Sequence, residues 1–326
     1  MRTLPDVPLP SDAADAEVRV AMTQALRRYV QASKAPNTLR AYDSDLRHFQ
    51  SWCRARHALW LPATAETVAL YIASLADAGI KPSTIRRRLS AIAEVHRLAM
   101  FPSPAADELV RLTMGGIRRR HGSAPTQKVA LTTGDVTRLL ATTSPVSAAG
   151  ARDRTVLLLG FAGGFRRSEL VALDVEDVAE SEQGLRIRIR RSKTDQEGVG
   201  RELGVPWGVH ADTCPVRAFQ AWCDAGRIVS GALFRPVDRH GRVAPTRLTD
   251  RAVARIIQRA ARRAGLDPQL YAGHSLRAGL ATAAAAAGAP ERAIMAQTGH
   301  RSLTTLRGYI RAGSLFEENA AGYLGL

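Results

Sequence analysis

At 326 residues the chain is long enough for two globular domains, each with its own core. Hydrophobic residues make up 45% and charged residues 23%, which excludes a disordered polypeptide. The 46 Lys and Arg against 30 Asp and Glu leave a net charge of +16, an excess that calls for a polyanionic partner, most simply nucleic acid.

Proline-rich residues 1–17 read as a flexible arm, too short for an additional DNA-binding domain and lacking the apolar run of a signal peptide. Val20, Met22, Leu26 and Val30 predict a helix from Glu17 to Ser33. A second follows Pro36, with Asn37 or Thr38 as its cap and Leu39, Tyr42, Leu46, Phe49 and Trp52 facing a core. A third is expected over Thr67–Ala78, introduced by Thr64 and stopped by Gly79. The fourth opens at Lys81-Pro82-Ser83-Thr84, Ser83 being the expected cap, and places Ile85, Leu89, Ile92, Val95 and Leu98 inward. Arg86, Arg87 and Arg88 fall in its first turns, where the macrodipole disfavours cations, so they are read as phosphate contacts; a solvated arginine face is the alternative. A short helix over Ala105–Met114 completes an all-helical domain, residues 18–117.

Residues 118–128 carry four cations with Gly, Ser and Pro and no apolar period, the composition of a basic linker. The second domain is expected over residues 129–313. A helix capped by Thr132 or Thr133 precedes a buried one, Arg152–Phe161, broken by Gly163-Gly164. Leu185-Arg186-Ile187-Arg188-Ile189-Arg190 alternates as a half-buried strand does, and Arg201–Pro206 returns, with Lys193 near the tip of the hairpin. Helices then follow over Cys214–Ala225, Thr249–Ala264, Leu276–Ala287, Pro290–Gln297 and Leu303–Ala312. The fold class is mainly α with one small antiparallel sheet. Residues 314–326 carry Leu315, Phe316, Tyr323, Leu324 and Leu326 but cannot make a core alone. Three cysteines without a CxxC pair indicate neither a disulfide framework nor a zinc site, and no stretch reaches membrane-span length; a cytoplasmic protein is expected.

Cleaving a phosphodiester without a metal requires cations on the non-bridging oxygens, an activated nucleophile and a proton for the leaving 5′ oxygen. No metal cluster, P-loop or Gly-rich nucleotide motif is visible, so no cofactor is expected. Arginines, histidines, a lysine and a tyrosine suited to those roles are present, although each taken singly reads as an ordinary structural residue. Their order is more telling: Gly164-Phe165-Arg166-Arg167-Ser168-Glu169-Leu170, Ser192-Lys193-Thr194, Gly273-His274-Ser275-Leu276-Arg277, Gly299-His300, and Tyr309 nine residues on.

This series resembles the tyrosine recombinases, or phage-type integrases, over nearly the whole chain. The first domain, with Asn37-Thr38-Leu39-Arg40-Ala41-Tyr42 and Ser83-Thr84-Ile85-Arg86, is similar to that family's SAM-like core-binding domain. The resemblance implies that Arg166 and Arg277 clamp the scissile phosphate, and that Lys193 protonates the leaving oxygen. It further implies that His274 assists proton transfer, His300 hydrogen-bonds the phosphate and Tyr309 attacks to give a 3′-phosphotyrosyl link, with Glu169 in support. The implied partner is double-stranded DNA with an inverted-repeat core site, gripped by a C-shaped clamp. A homotetramer on DNA is expected, a monomer or weak oligomer when free, with the tail docked into a neighbour; packing on its own chain is the alternative. Two other readings stay open. A type IB topoisomerase would relax plasmid without a specific site, and a non-catalytic DNA-binding regulator would be indifferent to Tyr309→Phe.

Overall fold

Proline at the first helical position starts both α1 (Pro36–Arg54) and α3 (Pro82–Leu98), because its fixed φ suits a helix and its missing N–H has no partner there. Ala35 and Lys81 therefore occupy the cap positions, without a side-chain cap, and the expected caps Asn37, Thr38 and Ser83 lie within the first turns. The computed structural model describes residues 34–122, 128–192, 195, 198–300, 302–313 and 324. The expected N-terminal arm, the helix expected over residues 17–33, Lys193, the middle of the basic linker and all of the tail except Leu324 lie outside the described residues.

The chain divides into two units, Met1–Thr126 and Gln127–Leu326. In the first, α1 and α3 pack with α2 (Ala65–Asp77) and α4 (Glu108–His121) around Phe49, Tyr71, Ile72, Ile85, Ile92 and Val110. Thr64 caps α2 by accepting from the Thr67 amide, and Gly79 ends it at φ +74°. The expected helix over Ala105–Met114 is instead a 3-10 turn, Pro104–Ala106, and then α4, capped by Asp107. Helix α4 runs on through Arg118, Arg119, Arg120 and His121, so the first residues of the expected linker are helical. Four basic side chains at a helix C-terminus complement its macrodipole, which composition alone does not reveal.

In the second unit α5 (Thr133–Ala141) begins with a capping box between Thr132 and Asp135. Helix α6 (Ala148–Ala162) is buried on nearly all sides, and α8 (Pro215–Gly226), α9 (Asp250–Arg263) and α10 (Gly273–Ala286) pack against it. Helix α7 (Arg167–Ala172) follows α6, while α11 (Glu291–Thr298) and α12 (Leu303–Gly313) close the described chain. Strands β1 (Val178–Ser181), β2 (Gly184–Ile189) and β3 (Arg201–Pro206) form an antiparallel sheet in that order, with Val178 opposite Ile187 and Ile187 opposite Leu203. Leu185, Ile187 and Ile189 face the core while Arg186 and Arg188 face out; Arg190 lies beyond the strand and pairs with Asp174 and Asp177. Among the described residues no helix is long and apolar enough to cross a membrane.

Candidate active site

Helix α6 stops at a glycine pair because the chain must turn where two other helices crowd it. Gly164 sits at φ +58°, and a Cβ there would lie 2.6 Å from Leu280 Cδ2 and 3.1 Å from Thr298 Cγ2. Buried Phe165 anchors the turn, and Arg166 becomes the N-cap residue of α7. Three residues on, Glu169 folds back: Oε2 accepts from the Arg166 amide at 3.0 Å and Oε1 from Arg166 Nη1 at 2.5 Å. The Glu169 side chain is 1% exposed, so this carboxylate is committed to the arginines around it.

Helix α10 contributes His274 and Arg277, one turn apart. The whole Arg277 residue is 1% exposed, and Nη1 donates to the Gly164 carbonyl at 2.8 Å and to the Thr298 carbonyl. Its Nη2 is buried and has no hydrogen-bond acceptor among the described residues. Burial, reinforced by Arg166, lowers its pKa to about 10, which still leaves it charged at neutral pH. A buried guanidinium held by two carbonyls, with the Glu169 carboxylate bonded to Arg166 instead, has the chemistry to receive an anion.

Helix α11 ends at Gly299 in the left-handed region, φ +65°, and the turn presents His300. Thr298 donates its hydroxyl proton to Ile294 O at 2.6 Å, so at 2.7 Å its Oγ1 accepts from Nδ1–H of His300. Nε2 of the neutral ring is then a bare acceptor. Burial and, next, the charge of Arg277 push this imidazole down to about 4.

Helix α12 is seated by Leu306, which is fully buried against Ala281 and Ile294, and Tyr309 follows three residues later on the same face. The Tyr309 hydroxyl and His274 Nε2 are hydrogen-bonded at 2.6 Å, and the His300 ring centroid lies 5.7 Å from that of Tyr309. Burial raises the phenol pKa while Arg277 and Arg166 pull it back; burial and then Arg277 hold His274 below 6.5, in the neutral form that accepts a proton. The fold thus gathers Arg166, Glu169, His274, Arg277, His300 and Tyr309 in one place. Lys193 is outside the described residues, and Arg86, Arg87 and Arg88 belong to the other unit.

Within the triplet, Arg87 Nη1 lies 2.9 Å from Asp45 Oδ2. Arg88 donates to His48 Nδ1 at 3.0 Å and Tyr71 Oη at 3.2 Å, with its side chain 14% exposed. Arg86 remains exposed.

One residue of the site went unread in the sequence. Arg201, the first residue of β3, donates from Nη1 to Ala296 O at 3.1 Å and Gln297 O at 3.0 Å, and its Nη2 lies 3.8 Å from Glu169 Oε2. The available signal was the alternation itself, which puts Arg201 on the same inward face as Leu203 and Val205.

Residues 130–314 match the model of the phage integrase family, and residues 24–101 that of the phage integrase N-terminal SAM-like domain. The chain is 40% identical over 297 residues to an integrase/recombinase xerD homolog of Selenomonas ruminantium, covering 90% of this chain and 87% of that protein. It is 27% identical over 322 residues to recombinase cre of Escherichia phage P1, covering 93% and 91%. Among solved structures, a lambda integrase dimer bound to a COC′ core site superposes with a TM-score of 0.57 at 18% identity, over 92% of this chain and 81% of that one. That likeness is one of fold.

Proposed function

The chain belongs to the phage integrase family, the tyrosine recombinases, and on that premise we propose that it cuts and rejoins DNA at specific sites through a 3′-phosphotyrosyl intermediate on Tyr309. The observation that carries this reading is the 2.6 Å contact between the Tyr309 hydroxyl and His274 Nε2, made beside Arg277 and Arg166. Neutral His274 takes the phenolic proton as Tyr309 Oη bonds to phosphorus. Arg166 and Arg277 bind the non-bridging oxygens, whose charge grows in the transition state. The P–O5′ bond breaks, and Lys193 protonates the departing oxygen.

The phosphotyrosyl ester keeps the energy of the broken bond, so a 5′ hydroxyl from either duplex reverses the step without ATP, metal or another cofactor. Exchange between two sites needs four such cuts, hence four copies of this chain on a pair of inverted-repeat core sites. The net charge of +16 and the DNA core site held by the lambda integrase dimer support duplex DNA as the partner. On a nicked suicide substrate, which loses its 5′ hydroxyl by diffusion, wild type is expected to accumulate a covalent protein–DNA adduct and Tyr309→Phe to bind equally but form none. Adduct from Tyr309→Phe at wild-type yield would remove Tyr309 from the reaction.

A further inference from the structure

Arg201 lies where three pieces of the candidate site meet. Its Nη1 holds the last carbonyls of α11, Ala296 and Gln297. Its guanidinium underlies the turn that presents His300, since a Cβ on Gly299 would lie 2.8 Å from Arg201 Nε and 3.0 Å from Cζ. Its Nη2 faces Glu169 Oε2 at 3.8 Å, beyond hydrogen-bond range, and is buried with no acceptor among the described residues. A cation at a helix C-terminus needs no special explanation. A half-bonded guanidinium drawn into a buried cluster that already holds two arginines does.

Formal charge supplies the reason. Arg166, Arg277 and Arg201 share one buried carboxylate, Glu169, and Arg167 acts on His274 beside them, so cations outnumber anions around the site. A phosphodiester brings −1, and its pentacoordinate transition state approaches −2, so a surplus of cations serves the transition state more than the bound substrate. Without Arg201, Glu169, which already takes two hydrogen bonds from Arg166, would draw that arginine further from the phosphate.

We propose that Arg201 is a positioning residue of the recombination reaction: it shares Glu169 with Arg166, leaving Arg166 free to meet the scissile phosphate, while it clasps the α11 end beneath His300. It acts through Glu169 and the His300 turn and does not itself touch DNA. The inference rests on the phosphotyrosyl reading above, and the test separates the two.

Single-turnover cleavage at saturating protein would be measured for wild type, Arg201→Gln and Arg201→Lys. The substrates are suicide substrates carrying either the natural diester or a neutral methylphosphonate at the scissile position. Arg201→Gln is expected to cleave the diester on the order of 10²-fold more slowly than wild type, with DNA affinity little changed. On the methylphosphonate, which brings no charge to match, its deficit should shrink to within about threefold. Arg201→Lys keeps the charge and is expected within about tenfold of wild type on the diester, a comparison that stands even if Arg201→Gln fails to fold. Equal deficits on both substrates, no deficit at all, or a lysine variant slowed more than about 10²-fold would overturn the proposal. Absence of adduct from wild type would instead overturn the phosphotyrosyl reading.

Discussion

His300 faces two demands that the free protein does not meet together. To donate to a phosphate oxygen its Nε2 needs a proton, yet Nδ1–H is committed to Thr298 Oγ1, and burial, with the charge of Arg277 next, holds the ring pKa near 4. An arriving phosphate supplies the missing negative charge, so protonation and binding should be linked. In the free protein, nitrogen NMR titration should show His300 neutral from pH 8 down to about 5, with its midpoint near 4. Bound to core-site DNA as Tyr309→Phe, the midpoint should move upward. The sign follows from which state holds the proton: below pH 6.5 the unfolded chain takes it up and the folded chain does not. Stability from this residue is therefore full above 6.5 and is lost as pH falls toward 4. A free-protein midpoint at or above 6.5 would contradict the electrostatic account of the site.

At the scale of elements, α3 shows how a motif divides among roles. Asp45 on α1 is buried and paired with Arg87 and Arg88, and Arg88 also reaches His48 and Tyr71, so two of the three arginines are tied into the helical unit. Burial raises the Asp45 pKa despite both arginines, a sign that its charge depends on them. Arg88→Ala should destabilise the protein by about 1–3 kcal/mol in denaturant unfolding, because it leaves polar groups buried without their partner. Arg86→Ala should leave stability unchanged and flatten the salt dependence of DNA binding by about one phosphate contact. The opposite pattern would exchange their roles.

This division was invisible in the sequence, where three consecutive arginines look alike; only the packing of α1 on α3 separates them. Legibility elsewhere followed the strength of the periodic signal. Strand β2 could be read because Leu185, Ile187 and Ile189 alternate with arginines, whereas β1, Val-Ala-Glu-Ser, has no apolar alternation and is held by its ladder to β2, with Val178 packed on the core. The site's arginines, histidines and tyrosine were legible through ordered motifs. Arg201 was not, since its role comes from where α11 ends, nearly a hundred residues later in the chain.

For the whole molecule, the surplus of +16 is spread over two units, and the candidate chemistry occupies only the second. Affinity should reside largely in the many cations that neutralise backbone phosphates, and rate in the few that meet the reacting one. In the proposed reaction Tyr309, and no other nucleophile of this chain, carries the broken strand by its 3′ end. The measurement that tests it most directly is to trap the wild-type adduct on a suicide substrate, digest protein and DNA, and locate the remaining nucleotide by peptide mass spectrometry. One modified peptide is expected, bearing a 3′-linked nucleotide on Tyr309. A nucleotide on another residue, or one joined through its 5′ phosphate, would contradict the proposed reaction.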